Sequence, residues 1–434
     1  MSNHVSKYRE KGYTHLDRKK KFNHYEKLIK DPKWVKTHGF YPFIYFEIEF
    51  KKFVLNTQTR RKEVKPKVRP IMYAAHVDGY IYTYYSKLVN TLYNEKIQQL
   101  NLDSVVTAYR TNKPGKNNIH FAFEVFEFIG QSQNAFIYLG DFSSFFDNLD
   151  HQYLKQRLKD VLNCEMLDEG HYSVFKNTTK YSFVKMSDIE KYKGKTKKQM
   201  KRDLVYFNTK DLKFFKACSL KKNKNNYGVP QGSPMSAVYS NVYMVEFDKV
   251  MNQYVTNLHG MYRRYSDDFI IILPMKKEEI ENSKQVEYIK EIERMVCKVP
   301  GLKLNSDKSE YYYFNSSGEN KLINLRDTKN KLDYLGFTFD GHSVRIREKS
   351  LFKYYTRAYS KAKTVKRNNG NSDQWRIKKK LYRIYTHLGR DYGRGNFITY
   401  SERAISVFEK SDYFTCEIKQ QVKKHWHKIN KLIK

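Results

Sequence analysis

Two short apolar runs, far apart in the chain, carry acid at their ends. Ala135-Phe-Ile-Tyr-Leu-Gly140 stops at Asp141, and Asp267-Asp268 separates Tyr265-Ser266 from Phe269-Ile-Ile-Ile-Leu273. Apolar runs of this length, rich in β-branched and aromatic residues, read as buried strands. A carboxylate at the end of such a strand is expensive to desolvate and needs a partner or a task. Adjacent Asp residues between apolar segments fit the tip of a tight hairpin, where two side chains can converge on one point. Asp also favours turns for its own sake, so the pair alone reads first as an ordinary turn.

A third carboxylate at that point would repel the pair unless a divalent cation held the three together. Mg²⁺ is the natural candidate, with Mn²⁺ as an alternative: it prefers oxygen ligands, keeps waters and completes its shell with phosphates. Two such ions can serve an in-line phosphoryl transfer. The charge of the chain points the same way. Over 434 residues, 82 Lys and Arg oppose 46 Asp and Glu, a net +36. That surplus implies a polyanionic partner, and its interleaving with 37 Tyr and 28 Phe favours nucleic acid over a membrane surface. The aromatic content excludes a disordered chain. The four cysteines (Cys164, Cys218, Cys297, Cys416) are scattered without zinc or disulfide spacing. No apolar run reaches the ~20 residues of a membrane span, and the N-terminus lacks the apolar core of a secretory signal, so the expected location is the cytoplasm.

Residues 1–60 read as a basic, Tyr-rich extension followed by a β-rich segment around Gly39 and Pro42. Helix-like apolar spacing runs from about Asp78 to Leu100 and from Asn118 to Phe128. Residues 61–344 would form the main unit, with a Lys-rich, solvated insertion at about 165–226. From 345 to 434 the sequence is basic and helical, with Trp375, Tyr382, Tyr385 and Trp426 at apolar positions. Asp147 and Asp150 read as caps of a helix starting near Leu149, and His151 as surface or helix structure.

Six segments, in order, carry a resemblance. They are Lys65-Pro-Lys-Val-Arg-Pro-Ile71, Asp141-Phe-Ser-Ser-Phe-Phe-Asp-Asn-Leu-Asp-His151, Gly228-Val-Pro-Gln-Gly-Ser-Pro-Met-Ser236, Tyr265-Ser-Asp-Asp268, Leu304-Asn-Ser-Asp-Lys-Ser309 and Tyr334-Leu-Gly-Phe337. Together they resemble the fingers and palm motifs of bacterial reverse transcriptases, the kind found in retrons, group II introns and defence systems. The last segment resembles the strand that closes the palm. The resemblance implies an α+β right-hand polymerase: fingers and palm built of an antiparallel sheet plus helices, and an α-helical thumb. It implies RNA-directed DNA synthesis from dNTPs on an RNA template, with cDNA as product.

Under that resemblance Asp141, Asp267 and Asp268, with the carbonyl of Phe142, would hold two metal ions. Arg69, with Lys65 or Lys67, would bind the triphosphate. Phe146 would exclude a ribose 2′-hydroxyl, Gln231 would pack beside the nucleotide, and Gly232 would let backbone approach it. Lys308 would be the general acid for pyrophosphate departure, a structural salt bridge being the alternative, and Tyr265 and Ser266 would support the hairpin. The Tyr-Ser-Asp-Asp box replaces the Tyr-Ala-Asp-Asp common in retrons and introns, and the Val-Thr-Gly signature of retrons is missing. His38-Gly-Phe-Tyr-Pro-Phe43, Ala75-His-Val-Asp-Gly79 and Gly395-Asn-Phe-Ile-Thr-Tyr400 look more like the stand-alone antiviral-defence enzymes, which work with a neighbouring non-coding RNA. Alternatives left open are a retron-type enzyme making RNA-linked DNA, a protein-primed or template-independent DNA polymerase, and a non-catalytic RNA-binding scaffold. A homo-oligomer is also left open.

Overall fold

Strands that are apolar at every position, not every second one, must be covered on both faces. The computed structural model of the chain, which describes residues 8, 10–55, 62–319, 321–326, 329–393 and 395–433, shows how that cover is built. β1 (Phe43–Leu55) and β2 (Lys62–Tyr73) form a long antiparallel ribbon from Ile44↔Tyr73 to Leu55↔Lys62. The chain then enters α1 (His76–Gln99), whose Ile81, Tyr85, Val89, Tyr93 and Ile97 repeat every four residues and are all buried. Its first turn is capped from a distance: Asp17 of the N-terminal arm accepts the backbone N–H of His76 and of Val77 and a ring N–H of His76. Burial alone would raise the Asp17 carboxyl, but these hydrogen bonds outweigh it and hold the pKa below the ordinary value. α2 (Asn118–Gln131) follows, capped by Asn117.

β3 (Asn134–Asp141) leads through a short 3₁₀ turn to α3 (His151–Leu162). Asp150 caps α3 through the Tyr153 N–H, as its position suggests. Asp147 does not cap: it lies a turn earlier and faces Gln231. His151 is buried, with its Nε2 2.8 Å from the Gly228 carbonyl. The Lys-rich stretch is folded, with helices at Glu169–Thr179, Met186–Lys193 and Thr209–Ser219 and two strands, β4 (Ser182–Lys185) and β5 (Lys221–Lys222). These complete a sheet of order β2-β1-β4-β5, and Val184, Met186, Ile189, Phe207 and Phe215 bury a core against it. Lys191, Lys195 and Lys198 remain exposed.

After α4 (Pro234–Tyr243) and α5 (Val245–Asn257) come β6 (Met261–Tyr265), β7 (Asp268–Pro274), α6 (Gln285–Cys297), β8 (Glu310–Asn315) and β9 (Leu322–Asn324). With β3 these strands make an antiparallel sheet of order β6-β7-β3-β8-β9. It divides two cores. Phe136, Tyr138, Phe269 and Ile271 face one with residues of α1, α4, α5 and α6; Ala135, Ile137, Ile270 and Ile272 face the other with α2. Each fully buried side chain of this size contributes about 1.5–3 kcal/mol, which anchors the acidic strand ends rigidly.

β10 (Leu332–Tyr334) and β11 (Phe337–Phe339) do not close this sheet. Tyr334 pairs with Phe337 around Leu335-Gly336, both at positive φ (46° and 93°), and the hairpin joins a separate sheet. That sheet continues with β12 (Ser343–Ile346) and, after α7 (Glu348–Arg367), α8 (Gln374–Tyr385) and α9 (Phe397–Phe408), ends with β13 (Thr415–Cys416) parallel to β12. Leu332, Phe337 and Phe339 cover the second core instead of extending the first sheet. Trp375 is 69% exposed and not in a core, and Trp426 packs on Tyr382 near the surface. Among the described residues no helix is long and apolar enough to cross a membrane.

Candidate active site

The hairpin of β6 and β7 is as tight as a hairpin can be: Tyr265 pairs with Asp268, leaving Ser266 and Asp267 as the two-residue turn. Ser266 sits at φ +64°, the sign a type II′ turn requires at its first central position and one that glycine normally supplies. A non-glycine residue held there costs on the order of 1–3 kcal/mol and persists only where its surroundings over-determine it. They do. Ser266 is buried, and its carbonyl accepts a hydrogen bond from Nη1 of Arg264 at 3.0 Å. Arg264 is fully buried, paired through Nε and Nη2 with Asp248 of α5 at 2.8 and 2.6 Å, and bonded to Asn241 of α4. Tyr262 donates to the same Asp248 carboxylate. This network ties the turn to two helices, and no motif in the sequence announced it.

Register brings the carboxylates together. Asp141 at the end of β3 lies directly opposite Asp268 at the start of β7, and Asp267 accepts the Phe142 N–H through its carbonyl at 3.3 Å. Like charges placed opposite one another weaken a sheet, so the pairing has no structural motive. Asp268 is open to solvent on one side, yet the protein around it disfavours its charge, and Asp267 and Asp141 add repulsion. Its pKa is pushed well above the carboxylate range. The loop of Lys308 zips onto the end of β3 through Ser143 N–H to Lys303 O and Asn305 N–H to Asp141 O. There the Lys308 ammonium pairs with Asp141 Oδ1 while keeping half its side chain exposed.

Among the described residues no three His, Cys, Asp or Glu side chains gather tightly enough to hold a metal ion unaided. The donor set still fits one. Mg²⁺ binds through one or two carboxylates plus water and substrate phosphates more often than in an all-protein cage. The opposed Asp141 and Asp268, with Asp267 beside them and, among the described residues, the Lys308 ammonium as countercharge, are carboxylates in want of a cation.

A cavity of about 650 Å³ opens beside them. Its walls bring together Arg69, Phe142, Phe146, Gln231, Gly232, Asp267 and Lys308; Asp141, Asp268, Tyr265 and Ser266 do not line it. Lys65 and Lys67 are on β2, but their side chains lie outside the described residues. The wall is assembled by backbone pairing. Gly228 and Val229 N–H donate to Leu149 and Phe146 carbonyls, and Met72 N–H of β2 donates to the Gln231 carbonyl at 2.8 Å. Ser233 then caps α4, with Pro234 in its first turn. Asp147 and Tyr109 also line the cavity, and neither stood out in the sequence as a site residue. Asp147 accepts from Gln231 Nε2 at 3.3 Å, and burial raises its pKa despite that bond.

Gly232 is required by packing on the protein itself. Its φ is +113°, and a Cβ there would lie 2.5 Å from the Met72 carbonyl oxygen. Gly232→Ala is therefore expected to cost on the order of 1–3 kcal/mol from backbone strain alone, read as a lowered denaturant midpoint. An unchanged midpoint would show that the close approach to β2 is dispensable.

Comparison with known proteins agrees with this geometry. The reverse transcriptase (RNA-dependent DNA polymerase) family matches residues 80–339, which leaves Arg69 just outside the matched span. No curated protein matches. Solved structures with some likeness include apo telomerase from Candida tropicalis truncated from its C-terminal domain, at 12% identity and TM-score 0.38 over 68% of this chain and 55% of that one. Telomerase from Candida albicans in complex with a TWJ fragment of telomeric RNA is similar at 12% identity and TM-score 0.38, over 97% of this chain and 62% of that one. The chain thus spans less than two thirds of these proteins, and likenesses at that score carry no argument. The family match covers more than half of the chain and contains the opposed aspartates, the turn and the lysine loop. The chain belongs to the reverse transcriptase family, the RNA-dependent DNA polymerases.

Proposed function

We propose that the protein copies RNA into DNA, adding dNTPs to a primer 3′-hydroxyl over two Mg²⁺ ions held by Asp141, Asp267, Asp268 and the Phe142 carbonyl. The observation that carries this reading is the pairing of Asp141 with Asp268 beside Asp267, which lines a cavity together with Arg69. Reverse transcriptases generally use divalent metal ions; such ions would activate the hydroxyl and take up charge on the departing pyrophosphate. The chain's own residues do the rest. Arg69 offers a planar, permanently charged donor set to a triphosphate. Gln231, held by Asp147, flanks the nucleotide. Phe146 limits the space beside the sugar. Lys308 holds a proton on Nζ at the cavity wall, where a leaving pyrophosphate would take it.

We further propose that the template is an associated non-coding RNA and that the setting is bacterial defence against phage. The support is the likeness of the 38–43, 75–79 and 395–400 segments to the defence enzymes. Purified protein given primed RNA, Mg²⁺ and labelled dNTPs should yield product that resists RNase and is lost to DNase. No product, or product made equally from rNTPs, would overturn the reading that RNA is copied into DNA. Phe146→Ala should lower the preference for dNTPs over rNTPs by at least about tenfold, measured as a ratio of kcat/KM. An unchanged ratio would remove Phe146 as the gate.

A further inference from the structure

The C-terminal helices enclose a second cavity, of about 740 Å³, sharing no lining residue with the first. Its size is that of a small-ligand site. Among the described residues three cations line it, Lys353, Arg357 and Arg383, and no acidic residue does. Lys353 and Arg357 stand one turn apart on α7, on one face, and among the described residues neither has an ion-pair partner. Arg383, from α8, lies with its guanidinium carbon 4.1 Å over the ring of Tyr392, which is itself 61% exposed. The floor is aromatic: Tyr354 and Phe397 stack with centroids 4.3 Å apart.

The walls are fixed in advance. Asn396 accepts the Ile398 and Thr399 N–H groups, capping α9, while its Nδ2 donates to the carbonyls of Arg383 and Thr386 at 3.0 and 2.7 Å. Tyr354 donates its hydroxyl to the Tyr385 carbonyl. One polar side chain thus joins α8 to α9 and leaves the cations facing a common space. Three like charges around one concavity repel one another, and a bound anion relieves them. Cations without acids, set beside the exposed ring of Tyr392 and the partly exposed ring of Phe397, are the chemistry that single-stranded nucleic acid requires.

We propose that this cavity takes one nucleotide of a single-stranded RNA, its base against Tyr392 and Phe397 and its phosphate on Lys353 and Arg357. The choice of RNA over DNA rests on the polymerase reading above; the nucleotide site itself does not. Binding of a fluorescent single-stranded RNA oligomer is measured without dNTPs or metal, so that lack of catalysis and lack of this site give different results. Lys353→Glu/Arg357→Glu should weaken binding at least tenfold. Lys353→Ala/Arg357→Ala should flatten the slope of log affinity against log salt by about 0.7, the share of the one phosphate no longer neutralised. Tyr392→Ala should weaken binding about tenfold by removing a stacking face. The charge-matched Lys363→Glu/Lys366→Glu, on the same helix outside the cavity, should weaken it clearly less.

Photocrosslinks from 4-thiouridine in the oligomer should fall on peptides of α7, the α8–α9 loop and the start of α9. An equal loss from the Lys363/Lys366 control, or crosslinks confined to other elements, would overturn the site. A DNA oligomer of the same sequence binding as tightly would overturn the assignment to RNA. Free UMP that binds as tightly as the oligomer would make this a site for a soluble nucleotide, overturning it as well.

Discussion

Asp268→Asn is expected to cut nucleotide incorporation by roughly three orders of magnitude or more while leaving the melting temperature unchanged or higher. The two halves of this result have one cause. Asp268 faces Asp141 across the β3–β7 pair, with Asp267 adjacent, and burial plus these neighbours raise its pKa. Replacing the carboxylate by an amide of the same shape removes that repulsion, so the folded state loses nothing electrostatically. The same replacement would remove a charged ligand from the proposed metal site, whose stabilisation of the transferring phosphoryl group would be worth several kcal/mol at about 1.4 kcal/mol per factor of ten. Thermal unfolding and single-nucleotide incorporation, measured on one preparation, check both. A variant that keeps near-normal activity would mean that Asp268 is not a ligand. One that unfolds many degrees lower would mean that its role is structural.

The second large effect concerns a residue that would never touch substrate. Asp248→Ala leaves the Arg264 guanidinium buried without its bidentate partner, a change that typically costs about 3–5 kcal/mol. The loss should appear as a marked drop in denaturant midpoint. The Asp248→Leu/Arg264→Met pair separates stability from turn positioning. Well-packed apolar residues of similar volume can replace a buried ion pair at little cost or with a gain, so most of the stability should return. Activity should not. Without Arg264 the Ser266 carbonyl loses its donor, and the positive-φ turn carrying Asp267 is held less firmly. A double variant that recovers stability and full kcat together would show that the network only stabilises the fold. A single variant with a loss below about 1 kcal/mol would show that water reaches the pair.

Several elements were legible because their signals are local. The apolar runs before Asp141 and after Asp268 became β3 and β7, the Asp-Asp pair fell at the tip of a tight hairpin with Asp267 in the turn and Asp268 opening β7, and Asp150 capped α3. Others depended on partners far along the chain. Asp17 caps a helix 59 residues away, and Lys308 meets Asp141 across 167 residues. Tyr334-Leu-Gly-Phe337 looked like a strand closing the main sheet because a strand and a hairpin differ little over four residues. The left-handed Leu335-Gly336 pair and a free place against the second core made it a hairpin. Asp147 looked like a cap because it stands near a helix start, yet the pairing of the 146–149 segment with 228–229 turned it toward Gln231.

The order of motifs and the chemical types they contain, three aspartates, an arginine, a lysine and an aromatic ring, were determined by the sequence alone, since residue type and turn chemistry act over a few positions. Which of them face one another was decided only by tertiary structure. Opposition of Asp141 to Asp268 follows from sheet register, and the hydrogen bond between Met72 of β2 and Gln231 in the loop before α4 brings the segments of Arg69 and Gln231 to one cavity. Distances between residues far apart in sequence are set by packing two cores against a shared sheet, and no local pattern encodes that packing.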